Sequence, residues 1–187
     1  MKLLGEKSTR YKEEISKLTW DEFEELADII ADHIIYNKLN LQKVCLLGTA
    51  RGALPLLTYI SHQTGIRDIS VMQLKMTNSD KPFDYGNVKV LLKAIRLDFD
   101  KFIVLEDIIY KGQTINIIQD ELQKYGKEIL EIYSLVIDEA YSNKNINLKV
   151  KAASVIKKDK WVVFPWEKKI EVSEYIVASK KSSKVSR

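Results

Sequence analysis

A single cysteine in 187 residues rules out an intrachain disulfide. Cys45 stands inside the apolar run Val44-Cys45-Leu46-Leu47, so it reads as a small core residue of a chain kept in a reducing cytoplasm. Long hydrophobic runs are also missing. None approaches the roughly 20 residues that a membrane span needs, and Met1-Lys2-Leu3-Leu4-Gly5-Glu6 carries no signal-peptide core. No membrane association is therefore expected. There is no internal repeat. Glycine is sparse: Gly5 and Gly86 aside, each one falls either in a candidate anion loop or at a predicted helix C-cap. A basic face is absent too. The net charge of +4 equals the contribution of Lys180, Lys181, Lys184 and Arg187 in a tail without acids, which leaves the body neutral. That balance argues against specific nucleic-acid binding.

What remains is an ordinary globular composition, with 45% hydrophobic and 30% charged residues, long enough for one domain with a real core. The most informative stretch is Phe102-Ile103-Val104-Leu105-Glu106-Asp107-Ile108-Ile109-Tyr110-Lys111-Gly112-Gln113-Thr114. Four apolar residues read as a buried strand of a parallel sheet. Two carboxylates follow where ligands bind in such sheets, just beyond the carboxyl end of a strand. A glycine-containing turn then feeds a helix, whose first backbone N–H groups favour a phosphate. The segment thus offers carboxylates for hydroxyls or a metal, beside a cradle for an anion. An ordinary strand–loop–helix connection with two solvated acids satisfies the same pattern.

Upstream, Thr19-Trp20-Asp21-Glu22 is a capping box with Leu18 and Phe23 placed for a hydrophobic staple. Trp20, Phe23, Ala27, Ile30 and Ile34 then recur at helical spacing to about Tyr36, with His33 beside the stripe as a structural histidine. Lys43 to Gly48 reads as a second buried strand, ending in Gly48-Thr49-Ala50-Arg51-Gly52. A helix follows from about Ala53 to Thr64, with Pro55 in its first turn, His62 on its surface near the end and Gly65 as C-cap. The two glycines permit close backbone approach to an anion that Arg51 can hold in bidentate fashion, or they only solve a turn. Ile69 to Leu74 is a further strand, and Val88 to Ile95 resumes an extended pattern. The polar loop 75–87 between them is either a lid or a plain hairpin tip. Ile115, Ile118 and Leu122 mark a helix that ends near Tyr125 with Gly126 as C-cap, and Ile129 to Ile137 is a strand ending in Asp138-Glu139. Lys149 to Ile156 and Trp161 to Phe164 predict a small hairpin. The alternation of strand and helix predicts a parallel α/β sheet.

Two anion loops with paired carboxylates between them suit a ligand with separated phosphates and intervening hydroxyls, which describes phosphoribosyl pyrophosphate. The residues also carry a resemblance. Leu105 to Thr114 resembles the phosphoribosyl-pyrophosphate signature of type I phosphoribosyltransferases, and Gly48-Thr49-Ala50-Arg51-Gly52 resembles their pyrophosphate loop. Trp161-Val162-Val163-Phe164-Pro165-Trp166-Glu167 resembles the C-terminal segment of the microbial purine branch (hypoxanthine, guanine, xanthine). The three matches come in the family's order across roughly residues 40–167. The resemblance implies a Rossmann-like phosphoribosyltransferase fold. An α/β core with an N-terminal helix would span 1–140, a small β hood 141–170, and a C-terminal segment with the basic tail 171–187.

The resemblance further implies site roles. Glu106 and Asp107 would engage the ribose hydroxyls, directly or through Mg²⁺, the implied cofactor. Tyr110, Lys111, Gly112, Gln113 and Thr114 would form the 5′-phosphate loop. Arg51, with the backbone of Ala50 and Gly52, would hold pyrophosphate, in a loop whose peptide is sometimes cis in the family. Trp161 and Val162 would contact the base, Trp161 by stacking. A homodimer follows by analogy.

Three departures matter. The family's loop usually begins Asp-Thr or Asp-Ser, whereas this one begins Tyr110-Lys111. In the purine branch that Asp is the proposed proton acceptor near the base. Tyrosine, with an ordinary pKa of about 10, is a poor general base at neutral pH but can stack or donate a hydrogen bond. Asp138 aligns with the branch's base-recognising lysine, and an acceptor there suits an amino group better than a carbonyl. Two functions are compatible with this pattern. One is transfer of ribose 5-phosphate from phosphoribosyl pyrophosphate to a purine-like base, with Glu106, Asp107 and Tyr110 as the catalytic set. The other is a non-catalytic binder of phosphoribosyl pyrophosphate or a nucleotide, acting as a regulator.

Overall fold

The computed structural model describes residues 2–3, 15–37, 41–77, 85–139, 141, 150–157 and 160–167. Its centre is a seven-stranded sheet. The strands are β1 (Lys2–Leu3), β3 (Val44–Ala50), β4 (Ile69–Thr77), β5 (Tyr85–Ala94), β6 (Lys101–Ile109), β7 (Glu128–Asp138) and β8 (Val150–Ile156), in the order β1-β8-β7-β6-β3-β4-β5. Every neighbouring pair is parallel except β4 with β5. A second sheet pairs β2 (Ile15–Lys17) with β9 (Trp161–Val163), also in parallel. Among the described residues three α-helices accompany them: α1 (Trp20–Tyr36), α2 (Leu54–Thr64) and α3 (Gln113–Gln123). None of the helices among the described residues is long and apolar enough to cross a membrane.

Side chains that alternate along the central strands feed two cores. Val44, Leu46, Ile103 and Leu105 pack with Phe23, Ala27, Ile30 and Ile34 of α1 and with Leu56, Leu57 and Ile60 of α2. Cys45, Leu47, Phe102 and Val104 pack on the other face with Ile115, Ile118 and Leu122 of α3. Strands buried on both faces must be apolar at consecutive positions, which explains the unbroken runs in β3 and β6. The capping box forms: the Glu22 N–H donates to Thr19 Oγ1 at 3.2 Å, and the Thr19 N–H donates to Glu22 Oε2 at 2.8 Å.

Several expectations need correction. Trp20 does not join the core stripe; it is 55% exposed at the first position of α1, with its ring edge-on to Phe23 at 5.9 Å. β6 does not stop at Leu105 but carries Glu106 and Asp107 within the strand, because β7 continues to pair with it as far as Ile109↔Ile137. α3 ends at Gln123, and Gly126 takes its positive φ of 66° three residues later. The hairpin expected over 149–164 does not form. β8 joins the main sheet beside β7, and β9 pairs with the N-terminal β2, so residues 150–156 belong to the core sheet rather than to a separate hood. The loop expected over 75–87 is shortened by the antiparallel pairing, which reaches Thr77↔Tyr85. The lid reading for its remaining residues and the basic tail both fall outside the described residues.

Candidate active site

The site follows from strand order. β3 connects outward through α2 to β4, and β6 connects the other way through α3 to β7, so the crossovers diverge between β3 and β6. Ligands bind at such a divergence, outside the carboxyl ends of the strands. The two strands also separate there. Their last paired residues are Gly48 and Leu105, while β3 stays paired with β4 as far as Ala50↔Gln73.

The loop after β3 opens with a cis peptide between Ala50 and Arg51. It then runs against Asp107: a Cβ placed on Gly52 would collide with the Asp107 carboxylate, with Cγ only 2.7 Å away. Glycine is required here by proximity, since its positive-φ freedom is not used. Arg51 is exposed, and its charge acts on Glu167, which is distant in sequence but adjacent in the site. Asp107 is half-buried, and Oδ1 accepts from the Ile108 N–H at 2.8 Å. Burial raises its carboxyl to about 6, the Ile108 N–H opposes the rise, and the neighbouring Glu167 adds to it. Glu167 is itself raised, chiefly by burial of its carboxyl. The Phe164 N–H, which donates to Oε2 at 2.9 Å, and Arg51 counter that rise.

Glu106 projects to the other face of the sheet, in step with Phe102 and Val104, and it is buried at 3% exposure. Thr49 Oγ1 donates to its Oε2 at 2.6 Å, while Oε1 has no hydrogen-bond partner among the described residues. Burial pushes this carboxyl well above the carboxylate range, Asp107 adds to the shift, and Thr49 offsets part of it. The two adjacent acids therefore differ in setting. Asp107 meets the Arg51-Gly52 loop; Glu106 is held from behind by Thr49.

Gly112, with φ 73°, is the N-cap of α3 and makes no side-chain cap, so the first turn of the helix presents backbone N–H groups as donors. Lys111 and Gln113 are exposed beside it, and Thr114 is half-buried. Tyr110 lies nearly parallel to Trp161, with ring centroids 6.5 Å apart and planes at 24°. Its hydroxyl donates to the Lys160 carbonyl at 3.4 Å. Val162 is buried at 4% exposure, and its side chain belongs to the α1/α2 core. Asp138 is the buried last residue of β7, opposite Ile156. The fold thus brings Ala50, Arg51, Gly52 and Asp107 together, and Tyr110 with Trp161. Glu106 and Val162 point elsewhere.

Thr49 and Glu167 were not singled out from the sequence. Thr49 shares strand parity with Cys45 and Leu47 on the Glu106 face, a signal that was available. Glu167 had no local signal beyond lying in a segment already of interest.

A mostly parallel sheet with helices on both faces, whose crossovers diverge between β3 and β6, defines an α/β fold. The chain belongs to the phosphoribosyl transferase domain family, whose model matches residues 19–172. No curated protein matches it in sequence. Solved structures share its fold. The purine phosphoribosyltransferase of Pyrococcus horikoshii is 21% identical with a TM-score of 0.64, over 86% of this chain and 98% of that one. The xanthine-guanine-hypoxanthine phosphoribosyltransferase of Helicobacter pylori is 13% identical at 0.61, over 90% and 99%. A hypothetical protein from Neisseria gonorrhoeae with bound ppGpp is 14% identical at 0.62, over 92% and 99%.

Proposed function

We propose that this chain binds phosphoribosyl pyrophosphate and transfers its ribose 5-phosphate to a purine-like base, releasing pyrophosphate. The observation that carries this reading is the contact of the Arg51-Gly52 loop with Asp107, five residues before Gly112 at the start of α3. Arg51 and the loop backbone would hold the pyrophosphate, Asp107 the ribose hydroxyls, and the first N–H groups of α3 the 5′-phosphate. Trp161 would lie against the base.

Mg²⁺ is part of the proposal, and the residues suit it. Asp107 and Glu167 are like charges close enough to raise the Asp107 carboxyl, a situation that a divalent cation relieves. Among the described residues no group of three or more acidic, histidine or cysteine side chains gathers. Mg²⁺ takes one or two carboxylates and completes its shell with water and phosphate oxygens. When bound, Mg²⁺ would stabilise the departing pyrophosphate. The chain's own part is to fix the ribose through Asp107 and to neutralise the leaving group through Arg51 as positive charge builds on the anomeric carbon.

A second reading, a non-catalytic binder acting as a regulator, is favoured by Tyr110. Its hydroxyl proton is engaged with the Lys160 carbonyl, so it is a donor where the family has a carboxylate acceptor. The Neisseria protein, which holds a guanine nucleotide on this fold, is compatible with the same reading. Incubation with phosphoribosyl pyrophosphate, Mg²⁺ and a panel of purines, following pyrophosphate release, separates the two. Release with at least one base supports transfer. Saturable binding without release from any base leaves only the binder.

A further inference from the structure

We propose that Tyr110 and Trp161 together form a two-ring contact for one planar heterocycle, so that Tyr110 recognises the base by stacking instead of accepting its proton. The inference rests on the base site proposed above and assigns Tyr110 a different role within it. The rings are near-parallel at 24°, but their centroids are 6.5 Å apart. That lies near the outer end of the range, about 4.5–7 Å, over which two rings stack on each other. The neighbouring pair Phe164 and Trp166 shows what a closed stack looks like in this molecule, at 4.8 Å and 12°. Tyr110 and Trp161 are near-parallel at a wider spacing, and both are half-buried.

Their placement suits a base. Tyr110 follows the last residue of β6, three positions after Asp107, and Trp161 opens β9, so the pair lies at the same strand end as the carboxylate proposed to hold the ribose. The tyrosine is held in orientation at both ends. Its body packs against the α1/α2 core, and its hydroxyl donates to the carbonyl of Lys160, the residue before Trp161. A hydroxyl spent on a backbone acceptor tethers one ring to the other's strand. Stacking is tolerant of the base's substituents because every base has a π face. The site is therefore expected to take several planar heterocycles.

Calorimetric titration of the full chain with IMP, GMP, XMP and AMP, which carry a base, and with ribose 5-phosphate, which does not, tests this. Tyr110→Leu should weaken every monophosphate roughly tenfold, the scale of one lost base–aromatic stack. It should weaken ribose 5-phosphate by much less. Tyr110→Phe should recover most of that loss, and Trp161→Leu should reproduce it. Equal losses for nucleotide and ribose 5-phosphate, or a Tyr110→Phe variant as weak as Tyr110→Leu, would overturn the inference. If the parent binds a monophosphate no more tightly than ribose 5-phosphate, the two-ring contact falls while the phosphoribosyl site stands. If it binds neither ribose 5-phosphate nor phosphoribosyl pyrophosphate, the site reading itself falls. A melting temperature measured for each variant separates lost folding from lost binding.

Discussion

Asp107 carries the sharpest conflict between stability and function. Its carboxyl is raised to about 6 from an ordinary 3.8, first by burial. The folded chain therefore holds a proton that the unfolded chain releases between those two values. Stability contributed by the protonated form is present below the lower value and is lost as pH rises to the upper one. Unliganded protein should melt at a lower temperature at pH 7.5 than at pH 5, and Asp107→Asn should flatten that difference. The same variant should weaken phosphoribosyl-pyrophosphate binding at least about tenfold, since a hydrogen bond to a charged group contributes roughly 1.5–3 kcal/mol. Scanning calorimetry and titration on one preparation check both signs. Parental affinity in the variant would remove Asp107 from the site. Glu106 behaves differently because it faces away. Thr49→Val would strip a fully buried carboxyl of its hydrogen bond, so a loss of about 1–3 kcal/mol is expected in urea denaturation. Glu106→Gln, which keeps an acceptor for Thr49, should be far milder. The pair Glu106-Asp107 was legible in the sequence as chemistry, but its division between two faces was not. That division depends on β6 continuing as a strand past Leu105, which only its pairing with β7 decides.

At the scale of elements, local signals read well wherever the chain decides its own conformation. The capping box of α1, Pro55 in the first turn of α2 and the left-handed Gly65 at its end are all local devices, and all are present. Failures occurred where partners decide. β8 and β9 are β-prone pieces separated by a short basic link, the local pattern of a hairpin, yet each pairs with a strand distant in sequence. Gly52 joins both scales. Its pattern suggested an anion loop, and its structural reason is contact with Asp107 from another element. Gly52→Ala should displace either the loop or the carboxylate. A shift of about 1 Å in a positioning group can cost on the order of 100-fold. Phosphoribosyl-pyrophosphate binding is the measurement to make. Gly48→Ala, which would press on the buried Leu57 side chain at 3.2 Å and not on Asp107, should lose less binding. Equal losses would mean that the loop needs general flexibility and not room beside Asp107.

At the scale of the whole molecule, two strands far apart in sequence, β2 and β9, are tied together beside the proposed site. β2 is drawn from the first 17 residues, yet it pairs with β9, and the Leu18 N–H extends the ladder to the Val163 carbonyl at 2.9 Å. Trp161, the first residue of β9, is paired with Ile15. The proposed base half of the site is thus supported by an N-terminal segment that no sequence motif assigns to it, whereas the proposed phosphate half is built mainly at β3 and β6, with Glu167 after β9 acting on Asp107. The two halves should be separable by mutation. Ser16 is buried opposite Val162, two residues before Leu18 in the same ladder, and its hydroxyl has no partner among the described residues. Ser16→Ala removes an unsatisfied buried group and should leave stability unchanged or raise it by about 1 kcal/mol. Ser16→Pro removes the backbone donor and should detach β2 from β9. The expected result is weaker binding of purine monophosphates with phosphoribosyl-pyrophosphate affinity retained. If both ligands weaken together in a protein that still melts cooperatively, the two halves are one unit, and the N-terminal strand supports the whole site.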